Sequence, residues 1–104
     1  MKSVLIFAVV AVIAFAQHTR PTPGPCQICE YVVGQAEHHL HGRPVDKGEL
    51  QIFLLADCES LRRFEGQVAT DACIQLIDNN MDLIYTDVYN GKHVRDICND
   101  LKQC

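Results

Sequence analysis

Six cysteines at positions 26, 29, 58, 73, 98 and 104 constrain this chain more than any other feature. The gaps between them are 2, 28, 14, 24 and 5 residues. An even number of cysteines in a short exported chain implies a disulfide framework, because thiols stay reduced in the cytosol and oxidise outside it. Six cysteines allow fifteen pairings, and spacing alone selects none of them. The layout, with two cysteines opening the domain, two closing it and a pair between, suits nested clasps. The ends would be tied together and an internal hairpin pinned separately.

Export is expected from the first 16 residues. Lys2 supplies a positive charge, Val4 to Ala16 is an unbroken apolar run of 13 residues, and Ala14-Phe15-Ala16 has the small-x-small form of a cleavage site. A membrane-spanning helix needs about 20 apolar residues, so the run is too short for an anchor. Residues 1–16 are therefore expected to be a signal peptide, 17–25 a Pro-rich leader, and 26–104 the domain. The expected location is extracellular, or an acidic lumen or vesicle.

Cleavage after Ala16 leaves 88 residues, with 8 basic against 13 acidic side chains and a formal charge of −5. That charge argues against nucleic acid as a partner, since phosphates demand clustered Lys and Arg. His18, His38, His39, His41 and His93 all follow the cleavage site. Free imidazole has a pKa of about 6.5, so these residues would bring the net charge close to zero near pH 5. His38, His39, His41 and His93 are the candidate pH-responsive residues.

A core this small gains from staples, each worth roughly 3 kcal/mol for a 15-residue loop. Apolar periodicity places a helix from Cys26 to Leu40, with Pro25 in its first turn, ended by Gly42-Arg43-Pro44. A second helix runs from a cap at Asp46 to Phe64 and breaks at Gly66; a third covers Val68 to Asp78. Asn79-Asn80 weakens the helix before a short segment holding Met81, Leu83, Ile84 and Val88. A last helix follows Tyr89-Asn90-Gly91 and carries Val94, Ile97, Cys98 and Leu101. The expected class is all-α.

The run Cys26-Gln27-Ile28-Cys29-Glu30-Tyr31-Val32-Val33, the later segments Cys73 to Asp78 and Val94 to Cys98, and the full cysteine spacing resemble a saposin-like domain. The resemblance implies a folded-leaf bundle of four or five helices with bridges Cys26–Cys104, Cys29–Cys98 and Cys58–Cys73. It also implies a protein that binds or perturbs lipid membranes, as amoebapores and nematode caenopores do. The chain departs from the family pattern in lacking a proline after Cys73 and any Asn-x-Ser/Thr sequon. The acid-switch histidine that amoebic pore-formers carry beside their C-terminal cysteines is also missing from Asn99 to Gln103, and His93 is the nearest substitute.

The residues supply their own reason to expect lipid contact. Leu50, Ile52, Phe53, Leu54, Leu55 and Ala56 point all round a helix, whereas packing on a small core needs one apolar stripe. A helix sandwiched in the core is one reading; a fused reading fits best, in which one side packs on the core and Ile52, Leu55 and Phe53 face a lipid, a dimer partner or the protein's own closed leaf. Other chemistry is weaker. Cys26-x-x-Cys29 lacks the strand–helix context of a redox motif. His38 and His41 share a helix face without a third metal ligand. Asp78-x-Asn80-x-Asp82 has Leu83 where a calcium loop needs glycine. Ser60 is the only serine after the leader, in no nucleophile motif.

The chain is thus expected to be non-enzymatic and without cofactor or metal. It would act on anionic phospholipid membranes by fusion or permeabilisation at acid pH, in an antimicrobial or cytolytic role, as a monomer, homodimer or oligomer. The alternative is a non-lytic lipid-transfer or lipid-presenting module, or an activator of a separate lipid hydrolase.

Overall fold

The computed structural model describes residues 23–104. The expected signal peptide, His18 and most of the Pro-rich leader lie outside the described residues. Among the described residues the fold is all-α: helix α1 spans Pro25–Gly42, α2 Lys47–Tyr89 and α3 Val94–Asp100. This corrects the four or five helices that the resemblance implies to three. The reason lies at two expected breaks. Gly66 (φ 88°, ψ −177°) and Asn80 (φ −133°, ψ 18°) leave helical backbone values, so α2 is more than one helix run together across them.

The bend at Gly66 is a reversal. Fifteen residues of straight helix would hold Cys58 and Cys73 about 22 Å apart, yet their Cα atoms are 5.6 Å apart. Further cross-links run in antiparallel register. Lys47 pairs with Asp82, Gln51 Nε2 donates to Asp78 Oδ1 at 3.4 Å, and Arg62 donates to Gln67. Helix α2 is therefore a helical hairpin with arms 47–65 and 67–89. Only glycine adopts the Gly66 conformation without strain, and the Thr70 hydroxyl donates to the Gly66 carbonyl at 2.8 Å, which supports the turn from within.

Helix starts follow local chemistry. Asp46 Oδ1 accepts the Glu49 N–H at 2.7 Å, the N-cap expected of it. Pro25 occupies the first turn of α1, where a missing N–H costs nothing. His93 Nδ1 accepts the Arg95 N–H at 3.3 Å and caps α3.

Ile28, Cys29, Val32, Val33 and Ala36 of α1 pack against both arms of the hairpin, chiefly Leu50, Leu54, Ile77 and Ile84, and Ile97 of α3 closes the core. Three disulfides hold this arrangement: Cys26–Cys104, Cys29–Cys98 and Cys58–Cys73, the pairs that the resemblance implies. The last two are wholly buried, while Cys104 lies at the surface.

Candidate functional site

The apolar run on the first arm of α2 divides by face. Leu50 and Leu54 are fully buried. Phe53 and Leu55 are half-buried and packed against the core. Ile52, 68% exposed, and the small Ala56 point outward. Of the three expected lipid-contact residues, Ile52 is therefore the one that is exposed to meet another surface. Phe53 is covered by the His39 ring, stacked on it with centroids 5.1 Å apart and planes 24° apart.

The structure adds two residues that sequence reasoning missed. Phe64 is 70% and Val68 72% exposed, one on each side of the Gly66 reversal. A helix-breaking glycine flanked closely by apolar residues was the available signal, because a hairpin tip has no neighbour to cover them. Gly48, Ile52, Ala56, Ser60 and Phe64 form one exposed, uncharged ridge along the first arm at four-residue steps. The Ser60 hydroxyl donates to the Ala56 carbonyl at 3.3 Å, so the ridge presents no unpaired hydroxyl proton. Two of the charges beside it are partnered within the chain, Glu49 by Arg43 at 2.9 Å and Glu59 by Arg62 at 3.0 Å, while the exposed Arg63 lies beside Ser60 and Phe64.

The four described histidines are not one group. His38, His41 and His93 are exposed. His39 sits between helices, with Nε2 2.8 Å from Asp57 Oδ2. Tyr31 O–H donates to the Asp57 main-chain carbonyl at 3.1 Å. Burial, and then the Asp57 charge, push the Tyr31 phenol above its ordinary pKa. His41 lies 3.9 Å from Glu37 one turn away. The residues of the rejected calcium pattern serve the hairpin: Asp78 and Asp82 take Gln51 and Lys47, and Asn80 Nδ2 donates to the Leu76 carbonyl at 2.9 Å.

No helix among the described residues is long and apolar enough to cross a membrane. The chain matches no protein-family model, no curated protein and no solved structure.

Proposed function

We propose that this protein is a secreted, non-enzymatic, saposin-like lipid-binding protein that adsorbs on anionic membranes and perturbs them, by fusion or permeabilisation, under acid conditions. One observation carries the reading: the core is complete, yet Ile52, Phe64 and Val68 remain exposed on the α2 hairpin. Apolar side chains in a row on a small domain indicate an interaction surface, and the partnered charges beside them lower the cost of placing the ridge in a lipid interface. The nested disulfides and the reversed α2 hairpin support a folded leaf in its closed form. The exposed His38, His41 and His93 are the residues through which acid conditions are proposed to favour approach to anionic lipid.

The closed packing of Leu50 and Leu54 also favours a second reading, a lipid-transfer or lipid-presenting module that leaves the bilayer intact. Dye release from anionic vesicles between pH 4.5 and 7.5 separates the two. Release that grows as pH falls supports the perturbing function, and lipid transfer without release supports the second.

A further inference from the structure

We infer that a groove between the start of α1 and the second arm of α2 is a binding site for one uncharged, single-chain amphiphile, a proposal that rests on the lipid-binding reading. The groove has a volume of about 390 Å³, within the usual range for a small-molecule site. Its apolar part is formed by Pro25, Ile28, Val68, Ala72 and Leu76. Four carboxamides, Gln75, Asn79, Asn80 and Gln103, line it as well.

Among the described residues, no side chain lining the groove is charged, although 21% of the chain is Asp, Glu, Lys or Arg. An ionic head entering it would lose water without gaining a counter-charge, which is costly. An uncharged head bearing hydroxyl or ester groups would instead meet amide donors and acceptors. Two of these amides are already oriented. Asn80 Nδ2 donates to the Leu76 carbonyl at 2.9 Å, and Gln103 Nε2 donates to the Leu101 carbonyl at 3.1 Å. Each keeps its amide oxygen as an acceptor. The wall carrying Gln103 is held by its N–H bond to the Cys98 carbonyl at 3.0 Å and by the adjacent Cys26–Cys104 bridge. The ligand class is thus a monoacylglycerol-like molecule, its chain along Ile28 and Leu76 and its head among the amides.

Calorimetric titration of the oxidised chain from Gln17 to Cys104 at pH 7.4 tests this. The probes are monodecanoylglycerol, decanoate and decyltrimethylammonium, each below its micelle concentration. Saturable binding of the monoglyceride, at least tenfold tighter than either ion, is expected. Ala72→Phe, at an exposed position where bulk fills the groove without entering the core, should weaken it at least tenfold with an unchanged melting temperature. Asn79→Asp should shift preference towards decyltrimethylammonium. Ile52→Asp should leave the titration unchanged while reducing vesicle co-sedimentation, so failure of the groove and failure of the membrane reading are told apart. Equal affinity for all three probes, no saturable binding, or undiminished binding by Ala72→Phe overturns the proposal. So does a tenfold gain on removing residues 17–22, which would make the leader the occupant, or a dimer that Ala72→Phe dissociates.

Discussion

His39 and Asp57 join α1 to the first arm of α2: the imidazole Nε2 lies 2.8 Å from the carboxylate, and the Asp57 carbonyl also accepts the Tyr31 hydroxyl. One residue thus anchors two α1 side chains just over two helical turns apart. His39→Gln is expected to lower stability by about 1 kcal/mol, the usual worth of one such bond. His38→Gln, at an exposed site, should leave the melting temperature unchanged. Thermal melts of both variants at pH 6 check this, and equal shifts would mean that the His39 contact contributes nothing special.

Tyr31 gives the fold an alkaline limit. Its phenol is raised above the ordinary value near 10, first by burial and then by Asp57. A group whose folded pKa is raised contributes stability that is complete below the unfolded pKa and is lost as pH climbs through the folded one. Urea denaturation between pH 7 and 11 should therefore show stability falling above about pH 10. Tyr31→Phe should cost about 1 kcal/mol at pH 7, because the Asp57 carbonyl loses its donor, and should make the alkaline loss shallower. A variant curve parallel to the parent's would refute the linkage.

The three disulfides should yield to reductant in order of exposure. Cys26–Cys104 has one surface cysteine, whereas Cys29, Cys98, Cys58 and Cys73 are 0% exposed. Mild dithiothreitol with alkylation and peptide mapping is expected to label Cys26 and Cys104 first. Replacing Cys58 and Cys73 together by serine should destabilise the protein by about 3 kcal/mol on loop-closure grounds, since they lie 15 residues apart. Early labelling of Cys58 or Cys73 would contradict this ordering.

Gly66 is the residue on which the hairpin turns. A Cβ there would meet no atom within 4 Å, so the penalty for Gly66→Ala is one of backbone conformation alone. It should amount to about 1–3 kcal/mol, and D-alanine, which prefers positive φ, should be tolerated. Chemical synthesis of both variants followed by guanidinium unfolding decides it. Equal stability of the two would show that the turn relaxes.

Features set by local chemistry were legible in the sequence: the Asp46 cap, the glycine break at 66 and the Pro25 start. What was hidden depends on tertiary neighbours. The His39 partner lies 18 residues away across a helix interface, so His39 looked equivalent to the solvent-facing His38 and His41. Similarly, periodicity could not say that Phe53 and Leu55 would be half covered by neighbouring helices while Ile52 would not. The count of elements differs because the expected breaks at Gly66 and Asn80 are non-helical residues inside the one element α2. The exposed Phe64 and Val68 went unnoticed because each reads as an ordinary end of an amphipathic helix until the reversal between them is known.

Ile52 separates a lipid-facing surface from a structural one, since Leu55, three residues on, packs against the core. Leu55→Asp should lower the melting temperature sharply by burying a charge. Ile52→Asp should leave it unchanged. The decisive measurement is co-sedimentation of the parent protein and Ile52→Asp with anionic phosphatidylserine vesicles at pH 5 and pH 7.4. Parent binding is expected to be stronger at pH 5, and Ile52→Asp about tenfold weaker, as the loss of one buried apolar side chain predicts. Parent binding as strong at pH 7.4 as at pH 5, or Ile52→Asp binding like the parent, would contradict acid-promoted adsorption through the α2 ridge.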